Sequence, residues 1–276
     1  MPVTSGQRNL VIGQMEVSYF AIAAAFWAAT YFILRGGWTQ GNGIGLPEIS
    51  GGAMIAAVLS IGAAMYLFGP LGGLALIITV VVHEFGHVAA YRVCGHSDAR
   101  FRLVPLMGGV AISNQHPASQ LKDYFITLMG PGICLALMMT SLALENVAYS
   151  ISYNLYWFFW LLTGMSAGLN FFNLLPLWPL DGGRMIRIVV YAFSPGLAQV
   201  VTLAMSAALV VLGLLSQHMI LVFFAIFSAA SAFNAPALSA VQRPITKLQA
   251  VMCLAIHLTM AAAFALGALE LASQYF

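Results

Sequence analysis

Charge is what this sequence has least of: charged residues make up only 7% of its 276 positions. A soluble domain carries about 25%, so this chain could not cover its own surface in water. The ten lysines and arginines face eight acidic residues, a net charge of +2, and no basic cluster is present. That speaks against a nucleic-acid partner. Cysteine is also scarce. Cys94, Cys134 and Cys253 lie far apart, odd in number and without C-x-x-C, which argues against a disulfide framework and against a cysteine metal site. Cys94 reads as a small buried residue. The first sixteen residues are polar and mixed, and no small-residue cleavage pattern follows the next apolar run, so the start does not read as a cleaved signal peptide. Internal repeats are missing too.

What fills the chain instead is apolar: 61% of residues are hydrophobic. They gather into runs of the roughly 18 or more residues needed to cross a bilayer core of about 30 Å. The expected class is an all-α polytopic membrane protein with about six to eight transmembrane helices. Eight candidate spans lie near residues 17–34, 50–68, 71–91, 124–144, 153–175, 197–216, 219–237 and 248–271. The second is the weakest, running from Gly51-Gly52 to Gly69-Pro70. With eight crossings, Arg35, Arg92, Arg100, Arg102, Lys122, Arg184, Arg187, Arg243 and Lys247 share one face, against Arg8 alone on the other. Basic loops stay in the cytoplasm, so that face is expected to be cytoplasmic. The loop 35–49 is Gly-rich, and the stretch 92–123 carries Gly108-Gly109 within 101–112, in a pattern that predicts a membrane-associated β-hairpin. Neither connection can hold a separate domain of ordinary size. Residues 1–276 are therefore expected to form one membrane-embedded domain.

Chemistry is concentrated in two places. Residues 83–87 read His-Glu-Phe-Gly-His on the third span. Histidines four apart on a helix share a face, so both imidazoles can reach one zinc ion, with Glu84 beside them as a base. The bland alternative, three polar residues hydrogen-bonded near a helix end, requires burying ionisable groups in a span without purpose. A rise of about 1.5 Å per residue from Leu71 puts the pair roughly 18–24 Å across, in the cytoplasmic half. Catalytic zinc usually takes three protein ligands. The fifth span runs parallel to the third and ends at Asn173-Leu-Leu-Pro176-Leu-Trp-Pro179-Leu-Asp181-Gly182-Gly183-Arg184. Two prolines break the helix there, and unwound backbone is tolerated where it lines a polar cavity. Asp181 is the best third ligand; the alternative is a solvated loop aspartate paired with Arg184.

This pairing of motifs resembles the two-part signature of the site-2 protease family of intramembrane zinc metalloproteases, in a short form without PDZ or CBS domains. The resemblance spans roughly residues 71–195, with extra helices at 17–68 and 197–271. It implies one zinc ion held by His83, His87 and Asp181, with Glu84 as general base and Asn173 steadying the scissile carbonyl or the substrate strand. Gly130-Pro131-Gly132-Ile133-Cys134 is similar to the family's Gly-Pro helix, with Cys134 where the family often has Asn. The hairpin resembles the family's membrane-edge element, which implies that Gly108, Gly109 and Val110 pair with the substrate. The partners implied are a transmembrane segment of a membrane protein and the lipid bilayer. The expected activity is hydrolysis of peptide bonds within or near such segments.

Other signals weigh less. Gly164-Met165-Ser166-Ala167-Gly168 matches G-x-S-x-G, but small residues on a span favour close helix packing. His257 reads as an interhelical hydrogen-bonder, and His96 and His116 as loop residues, with His116 near enough to the hairpin to meet substrate. Tyr153, Tyr156, Trp157 and Trp160 read as an interfacial belt. A zinc transporter would need several polar sites along a path, and Glu84 and Asp181 are the only intramembrane carboxylates evident.

Overall fold

The computed structural model describes residues 5–39, 51–104, 108–217, 222 and 241–273. Seven helices and one hairpin are assigned among them: α1 (Ser5–Thr39), α2 (Gly51–Val93), β1 (Arg100–Val104), β2 (Gly108–Ile112), α3 (Gln120–Tyr149), α4 (Tyr153–Asn173), α5 (Asp181–Tyr191), α6 (Pro195–Leu215) and α7 (Lys247–Ser273). Among the described residues, α1, α2, α3, α6 and α7 are long and apolar enough to cross a bilayer. The expected polytopic, mostly helical class is what the chain adopts. The span expected at 219–237 lies, but for residue 222, outside the described residues.

One break falls where it was expected and two elements differ from the expectation, each for a local reason. The second and third spans are two helices that meet within α2 where expected, at a kink at Gly69, whose φ of 71° is non-helical, with Pro70 behind it. The proline cannot supply the next helical N–H, and the glycine takes a left-handed conformation without a Cβ clash. The fifth span, α4, has the length but not the hydropathy of the other crossing helices, because it mixes aromatic and polar residues into its apolar run. The stretch after Asp181 is not loop but a helix of 11 residues, α5. It is too short and too basic to register as a span.

Helix starts follow ordinary capping chemistry. Ser119 caps α3 by accepting from the Lys122 N–H, and Ser194 caps α6 in front of Pro195. At the centre, α3 is the most enclosed helix, with Ile126, Ile133, Cys134, Ala136 and Ala143 all buried. Two glycines let neighbours approach it. A Cβ at Gly86 would overlap the carbonyl of Met129, so α2 and α3 touch backbone to backbone one residue before His87. Three residues further along α2, Gly37 of α1 lies against the Ala89 carbonyl in the same manner, and Trp38 packs on Phe85 with ring centroids 4.9 Å apart.

The expected hairpin is present. β1 and β2 run antiparallel with Arg100 opposite Ile112, Phe101 opposite Ala111 and Val104 opposite Gly108. A polar clasp fastens it to the end of α2. The Ser113 hydroxyl donates to Asp98 Oδ1 at 3.0 Å and accepts from His96 Nδ1 at 3.0 Å, while the Asn114 N–H donates to Asp98 Oδ2 at 2.6 Å. His96 is buried and meets Tyr91 edge-on. A strap, residues 241–246, closes the same end of the bundle. Gln242 donates to Asp123 at 3.0 Å and to the Pro117 carbonyl, and Asp123 also pairs with Arg184 of α5. The strap thus reaches the helix that begins with Asp181.

Two predictions follow from this packing. Gly86→Ala should force α2 and α3 apart and lower stability by about 1–3 kcal/mol, read as a fall in melting temperature in detergent. The clasp should also be sensitive to acid. Burial holds the His96 pKa below its ordinary value, and the Asn114 N–H holds Asp98 below the usual carboxylate range. An opened clasp takes up a proton on His96 near about pH 6.5, while the closed one resists it. Hydrogen exchange at Asn114, corrected for its intrinsic pH dependence, should therefore show protection at pH 8 that declines below about pH 6.5.

Candidate metal centre

His83 and His87 sit on successive turns of α2, 3% and 8% exposed. Their Nε2 atoms are 3.1 Å apart. Asp181, the first residue of α5, brings Oδ2 to 3.1 Å from His83 Nε2 and 3.4 Å from His87 Nε2. The broken segment between α4 and α5 makes this possible. Gly182 and Gly183 lie so close under the Leu174 and Leu177 carbonyls that a Cβ at either would overlap them, and the chain folds back tightly enough to aim Asp181 at α2. Arg184 forms its ion pair with Asp123 on α3, which leaves the Asp181 carboxylate turned to the imidazoles.

The far side of each ring shows what the near side must be. His83 Nδ1 is 2.8 Å from Asn170 Oδ1, and His87 Nδ1 is 2.7 Å from the carbonyl of Ile126. Both partners are acceptors, because the Asn170 amide nitrogen is committed to the Ser166 carbonyl at 2.7 Å. Each Nδ1 therefore carries the hydrogen, and in the neutral rings each Nε2 presents a lone pair inward. Two lone pairs and a carboxylate oxygen converge on one point without a donor between them, which is unfavourable unless a cation occupies it. Two histidines and one carboxylate are a donor set of catalytic zinc, which keeps a fourth position open. The residues fit the metal. Room for it depends on α3: a Cβ at Gly130 would run into His87 Nε2 and His83 Nε2, so only glycine lets that helix pass here.

Glu84 faces the same space. Its Oε2 accepts from the Ala111 N–H of β2 at 2.9 Å, so the hairpin rests on the helix beside the histidines. Together they border a cavity of about 500 Å³ whose walls include His83, Glu84, His87, Asp181, Asn173 and Val110. The structure thus brings together His83, Glu84, His87, Asp181 and Asn173 as the spacing suggested. Gly108 and Gly109 lie in β2, opposite Val104 and Leu103.

Several expectations are refined. Asn170, one turn before Asn173, is the asparagine in contact with His83, and it is fully buried. Its only sequence signal was its i, i+3 spacing to Asn173 on one helix face. Ser166 donates to the Cys134 carbonyl at 3.3 Å, a packing contact between α3 and α4 as expected of small residues. Cys134 itself points its thiol at the Thr79 carbonyl, 3.8 Å away. His116 is exposed and does not border the cavity. His257 is buried, and among the described residues its Nδ1 has no hydrogen-bond partner, so they do not supply the interhelical bond expected of it at that atom. His96 belongs to the clasp.

Comparison with known proteins follows the same lines. Residues 137–215 match the sequence model of Peptidase family M50, a stretch that contains Asn173 and Asp181. The chain is 29% identical over 157 residues to the zinc metalloprotease MJ0392 of Methanocaldococcus jannaschii, covering 55% of this chain and 45% of that protein. It is 33% identical over 119 residues to stage IV sporulation protein FB of Bacillus subtilis, covering 42% and 39% of the two chains. The putative zinc metalloprotease Rip3 of Mycobacterium tuberculosis is 30% identical over 128 residues, covering 46% and 32%. The chain thus matches less than half the length of each of these curated relatives. Among solved structures, the site-2 protease from Methanocaldococcus jannaschii is similar with a TM-score of 0.43 and 25% identity, covering 67% of this chain and 87% of that one. One stretch of the chain thus matches the sequence model of Peptidase family M50, and relatives named as zinc metalloproteases are similar over about half of it.

Proposed function

We propose that this chain is an intramembrane zinc endopeptidase that hydrolyses peptide bonds within or near transmembrane segments of membrane proteins. One observation carries the reading: three electron-pair donors converge beside a half-buried glutamate, in a cavity walled by apolar helices. His83, His87 and Asp181 would hold one zinc ion per chain, and residues 71–195 would form the protease core of a single domain. When bound, the metal supplies Lewis acidity, polarising the scissile carbonyl and acidifying an attacking water.

The remaining work falls to side chains. Glu84 takes the proton from the water and returns it to the leaving amine. The bond from the Ala111 N–H holds that carboxylate against β2, so the base is aimed rather than free to rotate. Asn173 borders the cavity and would donate to the developing oxyanion, a contact worth roughly 3 kcal/mol when well placed. A helical substrate hides its carbonyls in i to i−4 bonds, so it must unwind before attack, and its freed backbone groups need new partners. Alternate residues of a strand turn their polar backbone groups to one side. Since Ala111 turns its N–H to Glu84, Gly109 faces the same way, and Gly109 is the better candidate for pairing with substrate. Gly108 and Val110 would serve β1 through their backbones, with Val110 contributing its side chain to the cavity wall. The basic loops and the metal end of the bundle would face the cytoplasm.

Glu84→Gln should retain zinc and fold while losing about 10²–10⁴-fold in cleavage of a model transmembrane substrate. Asp181→Ala should lose both cleavage and most of its metal, measured by elemental analysis of the purified protein. Cleavage retained by Glu84→Gln, or full zinc content in Asp181→Ala, would sink this assignment.

A further inference from the structure

Asn170 has no part in the reaction as described above, yet it is fully buried and in direct contact with a metal-binding imidazole. We infer that Asn170 is a positioning residue that fixes the tautomer and ring angle of His83, and so sets how tightly the site holds its metal. The inference rests on the metal-site reading above and extends it.

The argument is one of hydrogen-bond polarity. An asparagine amide can present either its oxygen or its NH₂ to a neighbour. Here the choice is made by Ser166, whose backbone carbonyl, four residues earlier on α4, can only accept. The NH₂ group of Asn170 must donate to it, at 2.7 Å, and the oxygen is thereby turned to His83 Nδ1 at 2.8 Å. His83 must then donate from Nδ1, which leaves Nε2 as the lone-pair atom beside Asp181 Oδ2. An undirected imidazole would place its proton on either nitrogen, and half of the neutral forms would present a hydrogen to the metal. Orienting partners of this kind typically change metal affinity 10–100-fold when removed.

The two histidines are steadied differently. His87 relies on the Ile126 carbonyl of α3, a main-chain group that no side-chain substitution removes. His83 relies on a side chain of α4, the helix whose C-terminal end leads through the broken segment to Asp181. A rotation of α4 would therefore disturb two ligands at once, the carboxylate through its connecting segment and His83 through Asn170. That makes Asn170 the point where the two motifs are mechanically joined.

The test compares Asn170→Leu with Asn170→Asp in the full-length chain in detergent. Leucine keeps the branched shape and removes the acceptor; aspartate keeps an acceptor at the same position. Zinc affinity is read by competition with a chelator, and stability is read by thermal unfolding with and without zinc. We expect Asn170→Leu to bind zinc 10–100-fold more weakly while its metal-free melting temperature changes little, and Asn170→Asp to recover affinity close to that of the unsubstituted protein. If Asn170→Leu does not fold, Asn170→Ser, whose hydroxyl is too short to reach Nδ1, takes its place with the same expectation. Unchanged zinc affinity without the acceptor, or weak binding in Asn170→Asp, would overturn the inference and leave the metal site standing. A purified unsubstituted protein that binds no zinc would overturn the site and the inference together.

Discussion

The constraint on which everything else turns is that three acceptor atoms are held within 4.8 Å of one another in an enclosed place. Without a positive charge between them, two imidazole lone pairs and a carboxylate would repel in a medium of low polarity, and burying them so would be costly. The surrounding fold makes sense as the apparatus that enforces this convergence. Gly86 and Gly130 strip side-chain bulk from the crossing of α2 and α3, so the backbone of α3 can lie against the imidazoles. Gly182 and Gly183 do the same for the sharp return that delivers Asp181. Each is a place where a methyl group would move a ligand.

A second layer of polar contacts prevents these elements from drifting. Asn170 and the Ile126 carbonyl point the two rings. The Arg184–Asp123 pair ties α5 to α3, and Gln242 from the strap ties Asp123 to the start of α7. The Ala111–Glu84 bond links the hairpin to the metal helix, and the His96–Ser113–Asp98 clasp holds the hairpin's other end. Distant parts of the sequence thus meet in one polar network at one end of an otherwise apolar bundle. The lipid-facing surface asks for nothing comparable: Val58, Leu59, Tyr66, Leu67 and Leu266 are simply exposed and apolar.

How much of this could be read in the sequence depended on the range of the interaction. His83, Glu84 and His87 were legible because their spacing matches the helical period, so one local element places all three. Asp181 was legible because Pro176 and Pro179 forbid a continuing helix and parallel spans end at the same depth. The hairpin announced itself through Gly108-Gly109 and its polarity pattern. Asn170 was not legible, since its role depends on how α4 is rotated against α2, and a lone sequence carries no record of that angle. Nor was α5, whose 11 residues are shorter than any window tuned to membrane crossings. The clasp at His96 was hidden for a similar reason: its partners are polar loop residues 15 to 17 positions away, and nothing in their order signals that they meet.

The most direct test of convergence is X-ray absorption at the zinc edge of the purified protein. Two nitrogen scatterers with imidazole outer-shell features and oxygen scatterers at about 2.0 Å are expected, with one imidazole lost in His87→Ala and the remaining ligands unchanged. A zinc ion surrounded by sulfur, or by oxygen alone, would mean that these three side chains do not meet around a metal.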